Sequence, residues 1–378
     1  MNILLVDDEP LILNALKRAL YGTGWKIFID TSGQAALERL KTEDIDLIIS
    51  DMLMPGMNGA ELLEKVSKTY PSIIRASLSG YSDPDITIKG GFFAHQAFMK
   101  PCDPAVIKQE VTRIENILAL FPDRVIQSAI GSITSLPIAP KLFFQVKRIL
   151  SDDTSSMHDV AKLISHDPAM CAKIIHTSNN TIFRGRKEIT SITEAITRLG
   201  GQVINSIISM LEVYSVSLNK PSQPLEDLQS QSLRVAVLAS SLVSREQKDQ
   251  TFLIAILHRI GEYVRMMIVS DLMNAYLDVN NKGQELSHLE QYLFNTKSEQ
   301  LGGYLLHFWG FPTYIIESLL TCNEPLILME QSFGPTSAVY IASHLLNDKP
   351  IDPAFVQHFN LEQKIEEWKQ PFEQTEKS

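Results

Sequence analysis

The sequence predicts an α/β domain, a doubly wound five-stranded parallel sheet, followed by an all-α region. Up to about residue 119, five short apolar runs alternate with five amphipathic stretches, which is the pattern of a parallel sheet flanked by helices. From about residue 135 the strand signals vanish and apolar positions recur at helical spacing. The length of 378 residues also exceeds that of one compact domain. We therefore expect two domains.

The elements of the first region follow one another at short intervals. Its helices are predicted to begin at Leu11, at Ser32, at Gly59, after Asp83 and at Asp103. Its strands are predicted over five apolar runs: Ile3–Val6, Lys26–Ile29, Leu47–Ser50, Ile73–Leu78 and Gln96–Met99.

Breaks in the pattern divide the chain into four segments. Residues 1–119 form the sheet domain, 120–133 a linker that begins at a Leu-Phe-Pro break, and 134–330 the helical domain. Residues 331–378 are a C-terminal helical extension, and weak periodicity beyond about residue 349 predicts a loosely docked tail.

Composition narrows the class of protein. Hydrophobic residues make up 44% of the chain and its formal net charge is −10, which opposes binding to a DNA backbone. Cys102, Cys171 and Cys322 lie far apart, so no disulfide framework or cysteine-rich zinc site is indicated. No apolar run has the length of a membrane span, so we expect a soluble, unprocessed, cytoplasmic protein.

Polar residues follow four of the predicted strands. Because the carboxyl ends of parallel strands converge on one crevice, we expect these side chains to lie together. They are Asp7, Asp8 and Glu9 after the first strand, Asp51 after the third, Ser79 after the fourth and Lys100 after the fifth.

Converging carboxylates repel one another unless a cation neutralises them, and carboxylates with a backbone carbonyl and water suit Mg²⁺. A metal-bound carboxylate at Asp51 is a competent nucleophile toward phosphorus. The Lys100 ammonium would offset charge on the transferred group, and the Ser79 hydroxyl would hydrogen-bond one of its oxygens. The sequence thus predicts a phosphoacceptor site.

The motifs LLVDDEP, SDMLMPGMNG, SLSG and FMKP resemble those of the receiver domain of two-component response regulators, a CheY-like, flavodoxin-like fold. The resemblance covers about residues 1 to 119. It implies Asp51 as phosphoacceptor, Lys100 as the phosphoryl-binding lysine, and a cis bond before Pro101. It also implies Ser79 as the switch hydroxyl and Phe98 as the rotating aromatic. The implied Mg²⁺ ligands are Asp7, Asp8, Asp51 and the Leu53 carbonyl.

The helical region resembles the HDOD family, a relative of the HD-type metal-dependent phosphohydrolases, over about residues 134 to 330. Four segments carry the resemblance: SHDPAMCAKIIHTSNN, ITSITEAITRLGGQVINSII, FLIAILHRIGEYV and LGGYLLHFWGFP.

The metal ligands of an HD hydrolase are replaced in this chain. Where such enzymes carry an adjacent His-Asp pair, this chain has His258-Arg259, and a guanidinium cannot ligate a metal. Ser298 and Cys322-Asn323 stand where many relatives carry histidines. We therefore expect no metal in the helical domain, and no hydrolysis.

Other polar groups there have structural explanations. Asp167 is expected to cap a helix beginning at Pro168, and Ser191 with Glu194 forms a predicted capping box. His176 and Asn179 are expected to satisfy backbone groups at a helix end. The basic run at 184–187 is expected to be a solvated loop, and the glycine pair at 302–303 a close helix contact.

We expect a non-enzymatic phosphorelay response regulator. A histidine kinase or phosphotransfer protein would phosphorylate Asp51, and the switched HDOD domain would engage a protein partner. A phosphorylation-dependent dimer is also compatible with the sequence. The alternatives are a receiver-regulated HD-type phosphodiesterase or a nucleotide-binding output, and a DNA-binding output is disfavoured by charge.

Overall fold

The first region folds as one parallel sheet with the strand order β2-β1-β3-β4-β5. The computed structural model describes residues 1–80, 84–101, 103–119, 124–138, 140–150, 155–179, 188–215, 222–277 and 295–373. The predicted doubly wound fold is confirmed. Its strands are β1 (Asn2–Val6), β2 (Lys26–Asp30), β3 (Leu47–Asp51), β4 (Ile74–Ser79) and β5 (Gln96–Met99).

Five helices alternate with these strands. Helix α1 packs against α5, while α3 contacts both α2 and α4, so the helices form one layer on each face of the sheet. Local capping sets two helix starts: Ser32 Oγ accepts a hydrogen bond from Ala35 N, and Asn58 Oδ1 accepts one from Glu61 N. The helices are α1 (Pro10–Ala19), α2 (Gly33–Leu40), α3 (Gly59–Thr69), α4 (Pro84–Phe93) and α5 (Pro104–Ala119).

The predicted linker contains a helix that the sequence pattern did not indicate. Helix α6 (Arg124–Gly131) buries one face against the helical region, and the carbonyl of its last residue, Gly131, accepts a 2.9 Å hydrogen bond from Arg75. A Cβ at Gly131 would lie 2.1 Å from the Pro71 carbonyl oxygen. The segment is therefore a packed bridge.

The described part of the helical region contains no strand. Helix α10 is kinked at Gly200, whose φ of +73° favours glycine. Its helices are α7 (Pro140–Leu150), α8 (Met157–Ile164), α9 (Pro168–Asn179), α10 (Ile192–Ser215), α11 (Ser222–Ser241), α12 (Lys248–Leu257), α13 (Ile260–Leu277), α14 (Ser298–Phe308) and α15 (Thr313–Thr321).

Helices α13 and α14 approach each other closely through glycines. A Cβ at Gly261 would lie 1.7 Å from the Ser298 carbonyl oxygen, and one at Gly302 would lie 3.0 Å from Gly261 N. The predicted close helix contact at the glycine pair is therefore present, and Gly261 is the residue opposite Gly302.

The C-terminal extension is docked more firmly than its weak periodicity indicated. Phe355 is fully buried between Tyr340 and Phe359, in a small core that also contains Ile341 and Leu361. Short helices with aromatic anchors give little periodic signal, which explains the wrong expectation of a loose tail. The helices here are α16 (Pro325–Leu328), α17 (Pro335–Leu346), α18 (Pro353–Phe359) and α19 (Glu362–Glu373).

The two regions share one continuous hydrophobic core. Helix α4 packs against α9 and α10, and helices α5 and α6 pack against α14. The basic run at 184–187 and Cys102 lie outside the described residues. No helix in the described part of the chain is both long and apolar enough to cross a membrane.

Candidate functional site

Three carboxylates meet at the carboxyl edge of the sheet. Asp7 and Asp8 follow β1, and Asp51 ends β3. Each offers one oxygen, and these oxygens lie within 4.8 Å of one another. Asp7 and Asp51 are 0% and 5% exposed, whereas Asp8 is less buried than either.

Lys100 supplies the positive charge of this cluster. It follows β5, and its Nζ lies 2.7 Å from Asp51 Oδ1 and 2.8 Å from Asp7 Oδ2. The sheet order explains the meeting, because β1, β3, β4 and β5 are consecutive neighbours. The structure thus brings together Asp7, Asp8, Asp51 and Lys100.

The backbone around Asp51 leaves little free space. Leu53 N donates a 3.2 Å hydrogen bond to Asp51 Oδ2, and Gly59 N donates one to the Met52 carbonyl. A Cβ at Gly59 would lie 1.9 Å from the Asp51 carbonyl oxygen. Gly59 therefore holds the start of α3 against the end of β3, a role that the sequence motif contained but the sequence analysis did not assign.

Burial and the ion pair have opposite effects on the pKa values of Asp51 and Lys100. Burial raises the pKa of Asp51, and the hydrogen bond and charge of Lys100 offset only part of this effect. Burial by itself would lower the pKa of Lys100, but the carboxylates of Asp51 and Asp7 raise it on balance.

The donor set fits a hard divalent cation. Asp7 Oδ2 is buried, and the Lys100 ammonium lies 2.8 Å from it as an ion-pair partner. Asp8 and Asp51 add carboxylate oxygens at the same edge, and oxygen ligands of this kind are those that Mg²⁺ selects. Three carboxylates beside one ammonium leave a net negative charge, which a bound cation would offset.

The two predicted switch residues, Ser79 and Phe98, belong to the neighbouring strands β4 and β5. Ser79 ends β4 opposite Met99 of β5, while its side chain lies outside the part of the chain that the structure describes. Phe98 is buried in β5, and the Lys100-Pro101 bond is cis.

Residues that stand at the HD ligand positions are engaged in structural contacts. Arg259 donates a hydrogen bond to Gln231, and Ser298 Oγ donates one to Glu262 at 2.8 Å. Cys322 Sγ lies 3.2 Å from the Leu319 carbonyl. Burial lowers the pKa of His258 to about 4, and its Nδ1 lies against the Ala255 carbonyl.

Asp167 caps α9, as the sequence predicts. Its Oδ1 accepts a 2.6 Å hydrogen bond from Met170 N, its Oδ2 accepts one from Gln229, and burial raises its pKa to about 7. The capping contact of Ser191 with Glu194 N is also present, at 3.5 Å.

Polar groups between the two regions were missed by sequence analysis. Arg75, fully buried in β4, donates to the Phe93 and Gly131 carbonyls, and burial lowers its pKa to about 9. Lys173 of α9 donates to the Phe92 carbonyl at 2.9 Å and to the Thr134 carbonyl at 3.1 Å. The signal available in the sequence was a lysine, Lys173, in the otherwise apolar first half of α9.

The fold and this acid cluster define a receiver module, and comparison agrees: residues 3–112 match the model described as "Response regulator receiver domain". Residues 3–112 thus form a response regulator receiver domain. Residues 136–325 match the model described as "HDOD domain", and the chain belongs to the HDOD family.

Curated relatives match the receiver part. The hydrogenase transcriptional regulatory protein HoxA of Cupriavidus necator is 34% identical over 104 residues, 27% of this chain and 21% of that protein. The transcriptional regulatory protein GlrR of Escherichia coli is 29% identical over 157 residues, 41% of this chain and 34% of that protein. The chain therefore spans only about a fifth to a third of their length.

One solved structure covers more of the chain. The MmoQ response regulator of Methylococcus capsulatus is 18% identical, with a TM-score of 0.45, over 62% of this chain and 98% of that chain.

Proposed function

We propose that a histidine kinase or phosphotransfer protein phosphorylates Asp51 in a Mg²⁺-dependent reaction, and that this switches a non-catalytic HDOD domain that binds a protein partner. Membership of the receiver class supports phosphorelay signalling as such. The proposal of phosphorylation and switching is carried by the cluster of Asp7, Asp8, Asp51 and Lys100. Lys100 follows β5, the strand that contacts the HDOD domain.

The Asp51 carboxylate would act as the nucleophile. Its new bond joins a carboxylate oxygen to phosphorus, while the phosphoramidate P–N bond of the donor histidine breaks. Lys100, already 2.7 Å from Asp51 Oδ1, would offset charge on the phosphoryl oxygens. Asp7, Asp8, Asp51 and the Leu53 carbonyl would hold Mg²⁺, which supplies further charge stabilisation.

The strand that precedes Lys100, β5, also contacts the HDOD domain. Gln96 Nε2 at the start of β5 donates a 3.2 Å hydrogen bond to the Phe308 carbonyl of α14. The His95 carbonyl faces His176 Nε2 at 3.3 Å. A shift of β5 and Phe98 on phosphorylation would therefore strain contacts with both α9 and α14.

The energy required is modest. Moving a two-state interface from mostly closed to mostly open takes about 5 kcal/mol of differential interaction. Charge-assisted hydrogen bonds of a phosphoryl group to Lys100, Ser79 and backbone amides supply this amount at about 1.5–3 kcal/mol each.

The HDOD domain is proposed to act by binding. Arg259, a fixed cation, stands at the position of the aspartate of the His-Asp pair and donates a hydrogen bond to Gln231. Ser298 Oγ donates a hydrogen bond to Glu262. These contacts support a packed scaffold in place of a set of metal ligands. A partner-binding surface then becomes the natural output.

A paired capture experiment tests this proposal. The full chain locked with beryllium fluoride and Mg²⁺ is used as bait in native cell extract beside the Asp51→Asn protein. We expect a protein retained only by the activated bait. Equal retention by both baits, with stoichiometric beryllium fluoride verified on the wild type, would contradict the switching proposal.

A further inference from the structure

A groove of about 300 Å³ lies within the HDOD domain. The end of α8 and the start of α10 contribute polar side chains to its lining, and α11 with the start of α12 contributes the remainder. We call this space the HDOD groove. The described residues that line it all belong to the HDOD domain, so it is separate from the phosphoacceptor cluster. Its volume lies at the lower end of the range for small-molecule sites.

Three apolar side chains of the groove are left in contact with solvent. Val237 of α11 is 59% exposed, and Leu233, one turn earlier on the same helix, is partly exposed. Phe252 of α12 lines the same groove and is also partly exposed. Scattered apolar residues are ordinary on a protein surface, but these three line one concavity. The hydrophobic effect therefore favours a ligand whose apolar body covers them.

One cation and one anion line the same groove without pairing. Lys162 lies in the last turn of α8 and Asp249 in the first turn of α12, and both side chains are exposed. Neither forms an ion pair with another residue that the structure describes. Among the described residues that line the groove, only these two carry a full charge at neutral pH. The groove therefore presents one positive and one negative charge to a ligand.

Hydrogen-bond donors lie on the same side of the groove as Lys162. His158 is one turn before Lys162 on the same face of α8, and His166 follows in the turn after the helix. Burial and the charge of Lys162 lower the pKa of His166, so its ring is neutral and keeps one N–H group. Thr193, in the first turn of α10, adds a hydroxyl group. These groups suit the anionic end of a ligand.

The two charges of the groove select against a ligand of one sign. Helix-end stabilisation accounts for the sign of each, since a cation suits the end of α8 and an anion suits the start of α12. It does not require that both line one groove with an apolar floor. A purely anionic ligand would be repelled by Asp249, and a purely cationic ligand would be repelled by Lys162. A zwitterion pairs with both.

We propose that the HDOD groove binds a small zwitterion of the α-amino acid class with an apolar side chain. The Lys162 ammonium donates to the ligand carboxylate, and the ligand ammonium donates to the Asp249 carboxylate. The apolar side chain of the ligand lies against Val237 and Phe252. A ligand that binds only the folded HDOD domain also stabilises that domain by mass action. This site does not depend on the proposed function.

L-leucine and two analogues form a matched set of probes. The analogue 4-methylpentanoate lacks the ammonium, 3-methylbutylamine lacks the carboxylate, and both keep the isobutyl group. Calorimetric titration of the full chain at physiological salt should show saturable binding of L-leucine, about fivefold tighter than that of either analogue, since each analogue loses one charged contact. Binding of either analogue as tight as that of L-leucine, or no saturable binding of L-leucine, would overturn the proposal.

Two variants of exposed residues assign the ends of the ligand. Asp249→Asn should weaken binding of L-leucine about two- to fivefold but not that of 4-methylpentanoate, which has no ammonium to lose a partner. Lys162→Met should weaken binding of L-leucine by a similar factor but not that of 3-methylbutylamine. Lys364→Met, the same change at an exposed residue of α19, should bind all three probes as the wild type does. Equal losses for L-leucine and 4-methylpentanoate in Asp249→Asn would contradict the assignment of Asp249 and overturn the proposal.

Discussion

Lys173 Nζ donates a 2.9 Å hydrogen bond to the carbonyl oxygen of Phe92, so a lysine of the HDOD domain caps the C-terminal end of receiver helix α4. The same ammonium lies 4.2 Å from the Phe92 ring centroid. Helix α4 precedes β5, whose end carries Lys100 of the phosphoacceptor cluster. This contact therefore links the interface to the element that reaches the reactive site.

The buried lysine should make stability depend on pH. Burial, with the charge of Arg75, lowers the pKa of Lys173 from 10.5 to about 7. Between these values the unfolded chain binds more protons than the folded chain, so the free energy of unfolding should rise with pH, by at most about 1.4 kcal/mol per pH unit. We expect Lys173→Met to lose this rise in urea titrations from pH 7 to 10.

Comparison with a matched variant isolates the lysine. Arg75, with a pKa of about 9, titrates in the same window in both proteins, while the lowered pKa values of His95 and His176 keep both rings neutral there. The exposed Lys108→Met variant should follow the wild type. Parallel pH profiles for wild type and Lys173→Met would show that Lys173 does not titrate in this window.

Gly59→Ala should damage the phosphoacceptor site through the backbone. The added Cβ would lie 1.9 Å from the Asp51 carbonyl oxygen, so α3 or the end of β3 must shift. We expect a loss of about 1–3 kcal/mol in unfolding free energy and slower labelling by a phosphodonor. Gly201→Ala, whose Cβ would meet Met157 Cε at 3.6 Å, serves as the control and should keep wild-type labelling.

Removal of one partly exposed carboxylate should weaken the divalent cation site. Asp8→Asn is expected to raise the Mg²⁺ concentration for half-maximal phosphorylation by acetyl phosphate at least about tenfold, because a neutral amide replaces an anionic ligand. Chelation of Mg²⁺ should abolish phosphorylation of the wild type. The exposed Asp249→Asn should behave as wild type, and an unchanged Mg²⁺ requirement in Asp8→Asn would exclude Asp8 as a ligand.

Restoring the missing carboxylate of the HD pair should not restore a metal centre. Arg259→Asp recreates a His-Asp pair, but His258 Nδ1 still lies against the Ala255 carbonyl and Ser298 still donates to Glu262. In the part of the chain that the structure describes, only Asp7, Asp8 and Asp51 are grouped as potential metal ligands. Elemental analysis after dialysis against Mn²⁺ should therefore match the wild type. A stoichiometric additional ion would favour a latent HD-type hydrolase.

The sequence by itself determined the sheet and the positions of Asp7, Asp51 and Lys100 at one edge. Strand periodicity is local, and the order of parallel strands brings the ends of consecutive neighbours together whatever else the chain does. The composition of these strand ends therefore predicts the chemistry of the site.

Only the tertiary structure decided how the domains meet. The Lys173–Phe92 and His176–His95 contacts each join residues 81 positions apart, and no periodic signal tells which helix face covers which strand. The docking of Phe355 and the packing of α6 escaped prediction for the same reason. Long-range packing is chosen by shape and by the satisfaction of buried polar groups, and both exist only when the whole chain is folded.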